Sequence, residues 1–382
     1  MEKPAQINWG PVIFLVTYQT LLLAYLPFYF YYHGISWGVA ITAFILLYIT
    51  GLSITGGYHR YYAHRSYRTG SVVEAIMLFF GAMTAQGSAL RWSFDHRLHH
   101  AHVDTDNDPY SIKKGFWYAH CMWILEKPRK IEPKVVPDLF KNKLVMFQHN
   151  YYRYLMIGSN ALGVLFFGWL FNDYLASFVI ICVLRMFVLH HFTWFINSLA
   201  HVWGDKPFCQ ELSAVDNYFL SMLTFGEGYH NYHHTFANDY RNGIRWFHFD
   251  PTKWLIWTLN KLGLVEGLKR VDPITIQKRI VTESKSVMLE QIKKACCDKK
   301  DELERIVQEM SDEIVAKIAR MNQLKEQYLQ QMSDQLPNDL IKDLRKELKF
   351  LKKSLRQDWR KWVLLSKDIM RLASNQQGMS PA

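Results

Sequence analysis

The sequence predicts an all-α integral membrane protein: four transmembrane helices capped by a cytosolic helical domain with a two-metal histidine site, then C-terminal amphipathic helices. Three observations carry this. Long uncharged stretches recur in the first 270 residues. Eight histidines fall in three tight clusters, His59-Arg-Tyr-Tyr-Ala-His64, His96-Arg-Leu-His99-His100 and His230-Asn-Tyr-His233-His234. Past Pro273 the composition turns to Lys, Glu, Gln and Leu. The mean hydropathy of −0.11 therefore averages two unlike parts of a 382-residue chain. This sets a membrane domain at 1–270 and an extension of unassigned role at 271–382.

The spans follow from length. Residues 13–32 and 37–57 carry no charge, and each is long enough to cross a hydrocarbon core of about 30 Å. The four residues between them make a hairpin. The segment after the second holds Arg60, Arg65 and Arg68. Positive residues favour the inner side, which places that end, the histidines and both chain termini in the cytoplasm. Met1 to Trp9 makes a poor signal-peptide start. Ser71 to Leu90 is apolar but includes Glu74 and Gln86. A crossing there would separate the first two clusters, so it reads as an interfacial helix. Residues 154–172 and 174–200 are the third and fourth spans. The fourth contains Arg185, His190 and His191, ionisable groups expected to face the interior. Beyond Pro273, Ile306, Met310, Ile314, Ile318, Met321 and Leu324 recur at threes and fours, Pro337 interrupts, and Leu340 to Leu355 resumes: two amphipathic helices. They offer a possible self-association surface.

Composition excludes other classes. The net charge is +11, but no nucleic-acid motif accompanies it. The 15% aromatic content suits membrane-interface belts. Cys121, Cys182, Cys209, Cys296 and Cys297 show no CxxC spacing and read as reduced thiols.

Clustered neutral imidazole is ligand chemistry for iron or zinc. On a helix His96 and His100 share a face, while His99 is turned about 100° from His100 and can serve a second metal. His230, His233 and His234 repeat that geometry. His59 and His64 diverge by about 140° on a regular helix, so one ligand to each metal, or a helix end between them, is expected. Asn197 and His201 stand at i, i+4 near the end of the fourth span. That makes nine candidate imidazole ligands, with Asn197 a weak direct or water-mediated one. Asp95, Asp104, Asp106, Asp108, Glu227 and Asp239 are expected behind them, accepting their outer N–H groups. His102, His120, His190 and His191 are secondary candidates. His33, His149 and His248 read as ordinary core or surface residues.

At these residues the sequence resembles the membrane fatty-acyl desaturases, in particular the delta-9, stearoyl-CoA-type group, in a bacterial-type form with a C-terminal helical extension. The resemblance covers about Val12 to Arg270. It rests on His59 to Arg68, on His96 to His100 with Asp104-Thr-Asp-Asn-Asp-Pro-Tyr110, on Thr193-Trp194 with Asn197-Ser-Leu-Ala-His201, and on Gly226-Glu-Gly-Tyr-His230-Asn-Tyr-His-His234. It implies a di-iron centre with O2 as co-substrate and insertion of a cis double bond into a saturated acyl chain. It also implies a kinked apolar tunnel lined by Trp92, Thr193 and Trp194. Gly87 and Phe94 stand where the animal acyl-CoA enzymes are expected to have Asn and Arg, so coenzyme A, a carrier protein and a lipid all stay open as the acyl carrier. The sequence shows no His-Pro-Gly-Gly-type haem segment, so electrons are expected from a separate ferredoxin or b-type cytochrome with its reductase. Arg60, Arg65, Arg68, Lys113 and Lys114 are read either as positive-inside anchors or as an attraction for an acidic donor or an anionic head group.

Two other classes compete with this reading. A histidine-box hydroxylase on lipid would give an alcohol instead of an alkene. A metal-handling membrane protein would hold its ligands near the bilayer midplane, whereas these clusters lie past the ends of the spans.

Overall fold

The computed structural model describes residues 6–294, 299–333 and 338–377, so Met1 to Ala5, Cys296, Cys297 and Pro337 lie outside the described residues. The chain divides into two compact units, Met1–Lys206 with Glu211–Arg270, and Pro207–Gln210 with Val271–Ala382.

In the first unit, four helices are long and apolar enough to cross a membrane: α1 (Trp9–Tyr32), α2 (Trp37–Ala63), and, after the cap helices described next, two more at Tyr152–Phe171 and Tyr174–His201. The Ser36 hydroxyl accepts from the Val39 N–H (3.3 Å) and starts α2. Then come α3 (Ser71–Ala82) and α4 (Ala89–His102). At about 1.5 Å per residue, the 12 residues of α3 reach only about 18 Å, too short to span. The Ser88 hydroxyl accepts from Arg91 N (3.3 Å) and starts α4. The last two spans are α5 (Tyr152–Phe171) and α6 (Tyr174–His201). Asn172, in the left-handed region at φ 52°, ends α5, and the Asp173 carboxylate accepts from Ala176 N (2.8 Å) to begin α6. Then follow α7 (His230–Thr235) and α8 (Pro251–Lys261). A two-residue antiparallel pairing, β1 (Arg68–Thr69) with β2 (Val265–Glu266), ties the segment after α2 to the segment after α8.

Leu22 and Tyr29 of α1, Val39 and Leu46 of α2, and Val179 to Ile181 of α6 form one core among the spans. Their outer faces expose large apolar side chains such as Leu21, Phe44, Leu162 and Trp169, as lipid contact requires. Arg185 faces inward as expected. Its guanidinium donates to Thr50 Oγ1 (3.1 Å), Asn160 Oδ1 (2.9 Å), and the carbonyls of Ile181 (3.0 Å) and Met83 (3.2 Å). It therefore ties α2, α5 and α6 to the end of α3. A second core, with Ile54, Tyr58, Tyr62, Leu78, Leu90 and Phe94 among its members, joins the end of α2 to α3 and α4.

The second unit is a helical hairpin extended by one: α9 (Pro273–Lys294), α10 (Lys300–Ser333) and α11 (Asn338–Gln377). Three helices stand where the hydrophobic pattern predicts two. The helix not foreseen is α9, whose buried positions Ile276, Val281, Met288 and Ile292 are spaced irregularly among charged residues. Cross-links Lys285–Asp312 (3.4 Å) and Lys325–Asp272 (2.6 Å) on one side, and Arg320–Glu347 (2.9 Å) and Lys317–Asp358 (2.6 Å) on the other, mark α10 as antiparallel to both neighbours. Val307, Ile314, Ile318, Leu355 and Trp362 fill the centre.

Candidate metal centre

The histidine-bearing ends of the second and fourth spans follow directly on those spans. From Ser53 to Ala63, α2 widens into π-helical winding. Its bonds close five residues apart, as in His64 N–H to His59 C=O (3.0 Å). Residues at i and i+5 then share a face. His59 and His64 consequently meet, with ring centroids 4.7 Å apart, and enter the same group. Of the two readings drawn from α-helical geometry, one ligand to each metal is replaced by this one, while the helix does end at Ala63, between the two histidines. The end of α6 departs the other way. Leu199–His201 tightens into a 3₁₀ turn after Ser198, so Asn197 and His201 lose the α-helical i, i+4 relation expected of them.

All nine candidate imidazoles converge. His59, His64, His96, His100 and His233 form one group, and His99, His201, His230 and His234 another; within each, one ligand atom per residue lies within 4.8 Å of the rest. In α4, His96 and His100 face the first group while His99 turns to the second. In α7, His233 faces the first while His230 and His234 face the second. The Nε2–Nε2 separations are 2.8 Å for His64–His96, 3.0 Å for His59–His233 and His100–His233, 3.1 Å for His230–His234, and 3.3 Å for His99–His234.

These residues fit a metal on two counts. Two nitrogens bound at about 2.1 Å and set at right angles about one ion lie about 3.0 Å apart. The measured edges bracket that value. Several outer nitrogens, moreover, already have polar neighbours, although His230 Nδ1 is buried without a partner among the described residues. His99 Nδ1–H donates to Asp108 Oδ1 (2.8 Å), and Glu227 Oε2 lies 3.0 Å from His59 Nδ1. His201 Nδ1–H donates to Ser213 Oγ (2.6 Å), whose hydroxyl donates to Asp104 Oδ1 (2.5 Å). His96 Nδ1 meets the Tyr110 hydroxyl (3.1 Å). Neutral imidazole has one N–H, so these rings point bare Nε2 lone pairs at one another. His201 Nε2 is buried with no hydrogen-bond partner among the described residues. Lone pairs converging in a dry pocket call for a cation between them.

Electrostatics agree. Burial, then repulsion from neighbouring imidazoles, pushes His64, His96, His100, His230, His233 and His234 well below the ordinary histidine value. They are neutral at pH 7, as ligation demands. Burial pushes the Glu227 carboxyl up, but Arg60 and His59 outweigh it and hold it below the usual range. Arg60 is 1% exposed and bridges Glu227 (2.8 Å) and Asp250 (2.9 Å), which corrects its reading as an outward-facing anchor. Arg65 and Arg68 do face outward, near Asp138 (3.4 Å) and Glu266 (3.2 Å).

Of the six carboxylates expected behind the ligands, Asp104, Asp108 and Glu227 stand there. Asp95 pairs with Arg91 (2.9 Å) and Asp239 with Arg241 (2.6 Å), and Asp106 is exposed. Tyr110 and Ser213 were missed. Tyr110 closes the Asp-rich motif after the second cluster and could have been found there, whereas Ser213 sits in an unpatterned loop. Trp92 stacks on His96 (4.9 Å). Thr193 accepts from Gln86 Nε2 (3.0 Å), and Trp194 stacks on His190 (5.1 Å), away from both imidazole groups. Three of the four secondary candidates go elsewhere: His190 joins Tyr18 (2.6 Å) and the Thr84 carbonyl (2.7 Å), and His120 joins His191 (3.1 Å) and Ser198 (2.9 Å).

Comparison with known proteins adds the lineage. A profile of the fatty acid desaturase family matches residues 35–264. The probable acyl-CoA desaturase of Schizosaccharomyces pombe is 43% identical over 253 residues, 65% of this chain and 52% of that protein. Acyl-CoA desaturase 1 of Saccharomyces cerevisiae is 38% identical over 238 residues, 62% of this chain and 47% of that protein. This chain thus spans about half the length of each. The sn-1 stearoyl-lipid 9-desaturase of Anabaena variabilis is 33% identical over 274 residues, 71% of this chain and 96% of that protein. With the profile covering more than half of the sequence, including all nine converging histidines, the chain belongs to the fatty acid desaturase family.

Proposed function

We propose that this protein is an O2-dependent fatty-acyl desaturase that inserts a cis double bond at the delta-9 position of a saturated chain. The overall change is –CH2–CH2– plus O2, two electrons and two protons, giving –CH=CH– and two waters. The observation that carries it is the convergence of nine imidazole nitrogens in two adjoining groups. Neither acid nor base can remove hydrogen from an unactivated methylene, so two irons held there would supply the oxidising power. Asn197 is proposed as an accessory ligand in the second group.

The protein's own work is positional. Asp108, Glu227 and the Ser213–Asp104 relay fix ring orientation, and burial excludes water from the reacting methylenes. Trp92, against His96, is proposed to hold the acyl chain beside the first group, with Thr193 and Trp194 further along its path. Similarity to two acyl-CoA desaturases supports an acyl-CoA substrate, with a lipid-linked one as the second choice. Electrons would come from a ferredoxin or b-type cytochrome, and the histidine face would be cytoplasmic.

Expression in a host lacking unsaturated fatty acids tests this. Growth rescue and a new 9,10 double bond located by mass spectrometry are expected. A hydroxylated chain in place of an alkene would move the protein to the oxygenase reading, and an unchanged lipid profile with metal bound would refute both.

A further inference from the structure

The C-terminal unit holds a feature that the histidine site does not use. α11 has two opposed faces. Leu348, Leu351, Leu355, Trp362 and Ile369 pack inward with α9 and α10. On the opposite side Lys346, Lys349, Lys353, Arg356, Arg360 and Lys361 are all exposed. At about 100° per residue they occupy one band of about 140°. From Lys342 to Lys367 the band runs about 38 Å at about 1.5 Å per residue. Phe350 (72% exposed) and Leu364 (61%) project from within it. Asn338–Gln377 holds eleven Lys and Arg against five Asp and Glu, a surplus of six out of the whole chain's +11. Two of those five acids do not offset the band, since Glu347 is taken by Arg320 (2.9 Å) and Asp358 by Lys317 (2.6 Å), both from α10; Asp343 does, pairing with Lys346 (3.0 Å) in the open.

We propose that this band docks α11 on an anionic phospholipid surface, its cations among the phosphates and Phe350 and Leu364 in the interfacial layer. A straight row of cations on a fixed rise, with no built hydrogen-bonding pocket, suits a plane of many similar anions. Isolated large apolar groups among the lysines suit a surface that is polar above and apolar beneath. The four spans of the same chain tether the helix to a bilayer, so the headgroups are present at high effective concentration. The proposal rests on the spans and on α11, not on the desaturase reading.

The test uses the full-length protein in nanodiscs of phosphatidylcholine, with or without phosphatidylserine. Amine acylation at Lys346, Lys349, Lys353 and Lys361 is followed by mass spectrometry, with exposed Lys278 on α9 as internal reference. The serine lipid is expected to slow acylation of the band by about fivefold or more relative to Lys278, with the protection lost at high salt. The variant K349E/K353E/R356E/R360E, altered only at exposed positions, is expected to unfold at the same temperature yet lose the protection at Lys346 and Lys361. Equal rates in the two nanodiscs would overturn the proposal. So would protection that appears in phosphatidylcholine alone only on adding an acidic ferredoxin, because the band would then belong to a protein partner.

Discussion

At the scale of single residues, the outer nitrogen of each imidazole decides what the inner one can do. Asp108 takes the His99 Nδ1–H, which leaves Nε2 as an acceptor aimed at the second group. Asp108→Asn removes the charge behind that ring and lets the amide present either donor or acceptor. Metal affinity is expected to fall about 10- to 100-fold, read by chelator competition on the purified protein. Ser213→Ala breaks the relay from His201 to Asp104 and is expected to fall in the same range. His100→Ala and His234→Ala remove one imidazole from the first and from the second group, and each is expected to abolish desaturation while the protein stays inserted. The sign of the pH response follows from the depressed histidines. Folded, His64, His96, His100, His230, His233 and His234 resist protonation, whereas the unfolded chain takes up protons below about 6.5. The unfolded state then binds more protons, so stability of the metal-free protein drops as pH falls below about 6.5 and levels off above it. A thermal-unfolding series from pH 7.5 to 5.5 checks this, with added metal expected to raise the midpoint throughout. The histidines themselves were legible in the sequence because their spacing is a chemical pattern. Ser213 was not, because a hydroxyl becomes a relay only when folding brings Asp104 and His201 to either side of it.

At the scale of elements, α-helical arithmetic served α4 and α7 and failed at the ends of α2 and α6. HxxHH works by ordinary helical angles, so the division of His96 and His100 from His99 could be read directly. HxxxxH does not, and the π-helical stretch from Ser53 to Ala63 supplies the missing rotation. Nothing in the composition of that stretch announces the wider turn; the packing of Tyr58 and Tyr62 into the core beside α3 and α4 over-determines it. The loop that launches α7 is fixed by a second constraint, one that the Gly-Glu-Gly motif does advertise. Gly226 has φ +98°, and a Cβ there would come within 2.5 Å of Asp250 Oδ1 and 2.8 Å of its Cα. Asp250 cannot retreat, because its carboxylate holds Arg60 and accepts from Lys253 N (2.8 Å). Gly226→Ala is therefore expected to cost about 1–3 kcal/mol from the backbone alone and to loosen the Arg60–Glu227–His59 chain behind the first group. A lowered unfolding midpoint together with weakened metal retention is the expected readout. A lowered midpoint with full metal retention would show the loop and the ligands to be uncoupled.

At the scale of the whole molecule, the apolar stretches and the histidines were visible separately, and their connection was not. The sequence marks the second and fourth spans as ending near residues 57 and 200; the second helix runs on to Ala63, and the fourth passes through a turn at Ser198 into a 3₁₀ turn ending at His201. The polar ends of those helices are too short to declare themselves helical. They are held by what they meet: Arg60 by Glu227 and Asp250, His201 by Ser213. The membrane spans are in this sense the mounting of the imidazole site, and all nine converging imidazoles come from the first unit. The second unit has its own core around Val307, Ile314, Ile318, Leu355 and Trp362. We therefore expect the two to separate in function. A chain truncated after Arg270 loses the partners of Pro207–Gln210, where Arg279 Nε–H donates to the Phe208 carbonyl (2.6 Å), so that loop should gain mobility. It keeps all nine imidazoles and every group behind them. Metal content per chain is expected to match the full-length protein, and proteolysis near Phe208 is expected to speed up. If truncation instead empties the site, α9 to α11 hold the ligands in place from outside, and the division of the chain at about residue 270 is structural without being functional.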